Sequence, residues 1–256
     1  MHRLVGSAAA LALLGVVPAS PAASATNSGA FALPARLAAP HTPTGAAASA
    51  SSPNWVGYAV NTSVRAGSYT SVQASWTQPA VDCSHGDGTV VFWVGLDGWG
   101  DTAVEQDGTQ AKCAGGVAGY SAWWEIYPTN SITAYPDTIA PGDQLTAKVI
   151  FSALTGYELY LSDATQGWTE DASHTGAAGA ANSSAEIVAE TPGSGSTLAD
   201  LPDFGSVAFT GGQINGAPVA DSGALGINLV RNNNTLATTS DLTGGTDFTI
   251  EWKQNS

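Results

Sequence analysis

The sequence predicts an all-β domain built as a two-sheet antiparallel β-sandwich. Three observations carry this expectation. Segments rich in β-branched and aromatic residues recur at short intervals, clusters of Gly, Pro, Asn and Asp separate them, and no helical periodicity exceeds two turns outside the N-terminal apolar run. In order, the expected strands are Asn54–Val60, Thr70–Thr77, Val90–Leu96, a short Thr102–Gln106, a segment around Trp124, Gln144–Phe151, Tyr157–Leu161, Ala185–Glu190, Ser206–Thr210 and Asp247–Trp252. Turn signals such as Pro141-Gly-Asp, Gly211-Gly and Thr243-Gly-Gly fall between them. Short strands at this spacing pack as two antiparallel sheets.

The N-terminus carries His2 and Arg3, an apolar run from Leu4 to Val17, and a small-x-small end at Ala23-Ser-Ala25. This is the pattern of a secretory signal peptide, with an apolar run too short to span a membrane. Residues 26–50, rich in Ala, Ser, Thr and Pro, read as a disordered leader or short propeptide. Residues 51–256 then form one domain, expected to be secreted, monomeric and free of the membrane. The 256-residue chain has 21 acidic and 7 basic side chains, a net charge of −14. Nucleic acid is excluded as a partner because its phosphates would be repelled. In acid the same composition allows only a small positive charge, so the self-repulsion that drives acid unfolding stays weak.

Cys83 and Cys113 are the only cysteines, and in an exported chain they are expected to pair. No zinc-ligand spacing surrounds them, and no metal or other cofactor is expected. From Ser51 onward the only histidines are His85 and His174, both in loop-like surroundings, so a histidine-based triad is disfavoured. Hydrolytic chemistry would have to rest on carboxylates, amides and hydroxyls.

Strand alternation arranges those groups. In Tyr120–Pro128, Trp123, Glu125 and Tyr127 share one face and Ala122, Trp124 and Ile126 the other. Glu186 and Glu190 share a face with Val188; Asp97 has the parity of Trp93, and Gln106 that of Thr102 and Val104. Three strands thus present an acid or amide beside tryptophan.

Several ordered blocks resemble the glutamic peptidases, or eqolisins. They are Asn54-Trp-Val-Gly-Tyr58, Trp93-Val-Gly-Leu-Asp-Gly98, Thr102-Ala-Val-Glu-Gln106, Tyr120-Ser-Ala-Trp-Trp-Glu-Ile-Tyr-Pro128, Ala185-Glu-Ile-Val-Ala-Glu-Thr-Pro192 and Leu201–Phe209. The resemblance implies a sandwich like that of the legume lectins and an acid endopeptidase acting on polypeptides. It implies a catalytic pair of Gln106 and Glu190, with Trp55, Trp93, Asp97, Trp123, Glu125 and Tyr127 lining the substrate cleft. Glu105, Asp107 and Ile187 depart from the family pattern, which usually has an apolar residue, Thr and Trp there. Glu186 is the internal rival of Glu190. A glycoside hydrolase using Glu125 with Glu186 or Glu190, and a non-catalytic sugar-binding module, are the alternatives on the same sandwich.

Overall fold

The computed structural model describes residues 49–62, 68–100, 102–194 and 197–255. The expected signal peptide and nearly all of the expected leader lie outside these residues. The strands are β1 (Ser49–Ser52), β2 (Trp55–Asn61), β3 (Ser71–Thr77), β4 (Gly88–Leu96), β5 (Val104–Ala114) and β6 (Val117–Tyr127). Then follow β7 (Thr133–Ala134), β8 (Gln144–Ser152), β9 (Gly156–Asp163), β10 (Trp168–His174), β11 (Ser184–Glu190) and β12 (Gly193–Ser194). The last are β13 (Thr197–Leu198), β14 (Ser206–Ile214), β15 (Ala217–Pro218), β16 (Leu225–Arg231), β17 (Asn234–Thr239) and β18 (Phe248–Trp252). Among the described residues, helix is confined to single turns at Cys83–His85 and Val219–Ser222. The boundary expected after residue 50 falls inside β1, which pairs in parallel with β16 from Ser49↔Gly226 to Ser52↔Leu229.

The expected sandwich has two layers joined into one hydrogen-bonded ribbon, in the order β10-β9-β8-β3-β14-β18-β17-β16-β2-β11-β4-β5-β6-β7. The ribbon doubles over, so that β4 and β5 pack against β8 and β9, and β11 against β3. β8 and β9 alternate buried and more exposed residues, as strands with one covered face do. β4 is buried along its whole length, and Gly-Thr-Val-Val-Phe-Trp-Val-Gly-Leu accordingly reads as a nearly continuous apolar run. Between the layers lies the main core, including Val56, Trp76, Phe92, Val94, Leu159, Ile187 and Phe209. A second cluster lies on the opposite face of β2, β11, β4 and β6, where Trp55, Trp93, Trp123 and Val188 gather with Trp99.

Two sequence expectations change. The strand expected to end at Gln106 continues to Ala114, because β5 pairs residue for residue with β4 from Leu96↔Glu105 to Gly88↔Cys113 and with β6 along its full length. His174 is not an exposed loop residue: it ends β10 opposite Tyr157, its ring centroid lies 4.4 Å from that of Trp124, and burial lowers its proton affinity.

Cys83 and Cys113 form the expected disulfide across 30 residues. It ties the turn before β4 to the end of β5, and in the chain-entropy account closing such a loop contributes about 3–4 kcal/mol. Asp107 turns into the main core with no exposure, and neither carboxylate oxygen has a hydrogen bond of normal geometry. Burial raises its pKa well above the usual carboxylate range, and the nearby Tyr135 hydroxyl offsets this only in part. Asp163 is raised as well, by burial and by the neighbouring Asp143 carboxylate, against hydrogen bonds from the Gln166 and Thr165 backbone.

A carboxyl whose pKa rises on folding contributes stability that is complete below its unfolded value of about 4 and is lost as pH climbs through the folded value. Asp107→Asn is therefore expected to leave the melting temperature near its wild-type value at about pH 3 and to raise it at about pH 7, as read by thermal unfolding at both. Replacing Cys83 and Cys113 with Ser is expected to cost about 2–5 kcal/mol in denaturant titrations under non-reducing conditions.

Candidate functional site

The second face is built from alternate residues of five adjacent strands, β2, β11, β4, β5 and β6. β11 lies between β2 and β4, and β4 between β11 and β5. Their registers align three cross-strand rows. One runs Trp55, Glu190, Val91, Gln110, Ser121; the next runs Gly57, Val188, Trp93, Gly108, Trp123; the third runs Ala59, Glu186, Gly95, Gln106, Glu125. The strand side chains expected to share one face do share it, save Asp97, while Thr102 lies before the start of β5.

Glu190 is 1 % exposed, and each of its oxygens accepts a hydrogen bond: Oε1 from Asn54 Nδ2 at 3.1 Å and Oε2 from Trp93 Nε1 at 3.1 Å. Both donors are neutral. Hydrogen bonds to the charged form are what a buried carboxylate requires. Trp93 can lie flat enough to reach it because its neighbours in space are glycines. A Cβ on Gly95 would sit 2.7 Å from the Trp93 ring, and one on Gly108 would sit 2.1 Å from the Phe92 carbonyl oxygen and 2.7 Å from Trp93 Cβ. Trp55 meets Trp93 edge-on at 5.0 Å between centroids and stacks on Trp99 at 5.6 Å.

Gln106 lies two strands and four residue steps from Glu190, and the two are not hydrogen-bonded to each other. Its direct cross-strand partner is Glu125, whose Oε2 accepts from Gln106 Nε2 at 2.9 Å. A carboxylate only accepts, so this contact fixes which end of the amide faces β6 and leaves the oxygen end turned away. Gln106 Oε1, Gln110 Oε1 and Trp123 Nε1 are buried polar atoms of this face with no hydrogen-bond partner in the protein. Buried groups of that kind mark where a ligand or solvent belongs. Tyr127 follows on the same face at the end of β6, half-buried.

Asp97 is placed differently from the cleft-lining position expected for it. β4 ends at Leu96, and Asp97 takes a left-handed backbone (φ 63°) that swings its carboxylate away from the row of Trp93. It has no exposure and accepts from the backbone N–H groups of Ala181, Asn182 and Ser183 at 2.7–2.8 Å. The side chain fixes the loop that leads into β11. Glu105, on the opposite face of β5, accepts from Ala177 N at 3.0 Å and ties the same loop. This departure from the family pattern has a structural employment.

Asn54 was not among the site residues expected from sequence, although its block was. A lone Asn before a strand reads as a turn residue, and nothing local reveals that its amide reaches a carboxylate 136 residues away. Among the described residues, the only group of side chains arranged to hold a metal ion is Asp82, His85 and Asp203, which shares no residue with this face.

The chain matches the Peptidase A4 family over residues 53–252. It is 29% identical over 155 residues to Aspergillopepsin-2 of Aspergillus niger, a match covering 58% of this chain and 54% of that protein, so the chain spans about half the length of that relative. Its fold is like that of scytalido-glutamic peptidase, solved with a transition state analog inhibitor, at a TM-score of 0.67 and 22% identity, covering 78% of this chain and 98% of the other. The aspergilloglutamic peptidase of Aspergillus niger is similar at a TM-score of 0.57 and 25% identity, over 64% and 99% of the two chains. With the family match spanning both the Gln106 and the Glu190 strands, the chain belongs to the Peptidase A4 family.

Proposed function

We propose that this protein is a secreted acid endopeptidase in which Glu190 is the general base and Gln106 the oxyanion donor. The observation that supports this best is the pairing of commitments on one buried face. Glu190 is held by two neutral donors, and Gln106 is oriented by Glu125 with its amide oxygen unpartnered.

Donation to both Glu190 oxygens favours the ionised form, which a base needs if it is to act in acid. In the reaction, Glu190 takes a proton from a water whose oxygen attacks the scissile carbonyl carbon. The carbonyl π pair moves onto its oxygen, which receives the second N–H of Gln106, while the amide oxygen of Gln106 accepts from the water. Glu190 then returns its proton to the leaving nitrogen as the C–N bond breaks. A neutral amide donor serves an oxyanion at any pH, and loss of one such donor costs about 2.7–4 kcal/mol in the transition state. Trp55, Trp93, Trp123 and Tyr127 supply the apolar walls. Export rests on the signal-like composition of residues 1–25.

A two-carboxylate glycosidase is less well supported, because Glu125 is already engaged by the Gln106 amide. A sugar-binding module gains no support from Trp55, Trp93 and Trp123, which are at most 2% exposed and do not form an open stacking platform.

Glu190→Gln and Gln106→Ala are each expected to lower kcat on an unfolded protein substrate at about pH 3 by 10²-fold or more without loss of fold, while Glu186→Gln keeps most of the activity. Activity in Glu190→Gln with none in Glu186→Gln would move the base to Glu186, and release of reducing sugar from polysaccharide would replace the peptidase reading. Gly95→Ala presses a methyl group against the Trp93 ring and the Gln106 side chain. It is expected to cost about 1–3 kcal/mol of stability and to lower kcat/KM more than a distant substitution of equal cost, as read by parallel unfolding and kinetic assays.

A further inference from the structure

The Asn54–Glu190 contact has its own support. Asn54 is 2% exposed; its Oδ1 accepts from Ser52 Oγ at 3.2 Å, its backbone oxygen accepts from Thr191 N at 2.9 Å, and Ser52 Oγ in turn accepts from Trp55 N at 2.8 Å. The ends of β2 and β11 are thereby laced together around the carboxylate. One side chain from the C-terminal part of the chain spans this lacing. Arg231, the last residue of β16, donates from Nε to the Pro53 carbonyl at 3.2 Å, from Nη1 to the Ala199 carbonyl at 3.1 Å and from Nη2 to Thr191 Oγ1 at 2.7 Å. Pro53 immediately precedes Asn54, and Thr191 immediately follows Glu190. Pro192, next to Thr191, and Ala199 are the feet of the β12–β13 hairpin, closed by Ala199 N on the Pro192 carbonyl at 2.8 Å.

We infer that Arg231 is a positioning residue for catalysis, holding the Asn54 amide against the Glu190 carboxylate by fixing the residues on either side of that contact. The inference rests on Glu190 as the general base. A guanidinium suits the task because three donors in a rigid plane meet acceptors on three separate segments, which an ammonium on a flexible stem cannot do. Arg231 is one of only five Lys and Arg residues from Ser51 onward. Burial lowers the proton affinity of the guanidinium, and the carboxylate of Asp200, next to Ala199, opposes that effect in part. The region after Thr210, for which the sequence suggests only further strands, thus acquires a part in the site through β16.

The consequence has a direction. An N–H donated to Glu190 favours its ionised form, so loosening Asn54 lets Glu190 keep its proton to higher pH. The kcat/KM of a base-dependent reaction rises as the base ionises, so its acid limb moves upward. Arg231→Met is expected to lower kcat about tenfold with KM nearly unchanged and to raise the acid limb by about half a pH unit. Arg231→Lys should recover little of either. Thr191→Val, which removes a single acceptor and keeps the shape, should shift the limb the same way by less. In an Asn54→Ala background, Arg231→Met should add no further shift. Near-ultraviolet circular dichroism at the assay pH shows which variants fold, and Thr191→Val carries the test if Arg231→Met does not.

An unchanged kcat and acid limb in folded Arg231→Met, or in Thr191→Val if the former fails to fold, overturns the inference. So does full recovery by Arg231→Lys, which would make charge alone sufficient, and so do additive shifts with Asn54→Ala. Glu190→Gln separates the two levels. Its full activity would remove the base assignment itself, whereas its inactivity beside normal Arg231 and Thr191 variants would remove only the role of Arg231.

Discussion

A carboxylate 1% exposed, with two neutral N–H groups as donors, sets the terms for everything around Glu190. Burying a charge without hydrogen bonds costs far more than a domain's net stability, so each donor has to be held in place. Trp93 can donate because Gly95 and Gly108 leave room for its ring, and Asn54 can donate because Ser52, Thr191 and Arg231 hold the chain on either side of it. The rows that align Glu186, Gly95, Gln106 and Glu125 come from the same strand pairings. The glycines, the tryptophan and the C-terminal arginine are all parts of one electrostatic arrangement.

The scarcity of cations has a counterpart inside the fold. Asp97 is held by backbone N–H groups and Glu190 by side-chain N–H groups, while burial raises the pKa of Asp107 well above the usual carboxylate range. The first two arrangements favour the ionised form and the third the neutral one. The two kinds respond to pH in opposite senses: the contribution of Asp97 and Glu190 falls as they are protonated in acid, whereas that of Asp107 falls as pH rises.

β5 shows best how a strand can be hidden from sequence. Its stretch Glu105-Gln-Asp-Gly-Thr-Gln110 is polar and contains Asp-Gly, a common turn signal, so the expected strand stops at Gln106. In the fold the same residues are buried on both faces: β4 and β6 flank the strand, β8 and β9 cover one face, and the tryptophan cluster lies on the other. Glu105 bonds Ala177 N, Thr109 accepts from Trp76 Nε1 across the layers at 3.3 Å, and Gln106 bonds Glu125. Glu105, Gln106 and Thr109 each meet a partner on another strand or loop, which no local pattern can register. Asp97 misleads in the opposite sense: its parity with Trp93 holds on paper, but the strand ends one residue earlier and a left-handed backbone turns the carboxylate elsewhere.

The sequence by itself determined the β class, the pairing of its two cysteines and the face on which Trp123, Glu125 and Tyr127 lie, since strand alternation and residue type are local properties. It also determined that Glu186 and Glu190 share a face, and the ordered blocks singled out Gln106 and Glu190. Only the tertiary structure decided that Glu125 orients Gln106, that Asn54 and Trp93 hold Glu190, and that Arg231 stands beside both ends of that contact. Those choices depend on strand register and on segments brought together across as many as 178 residues, for which the physical determinant is the packing of the whole ribbon and not the preference of any segment within it.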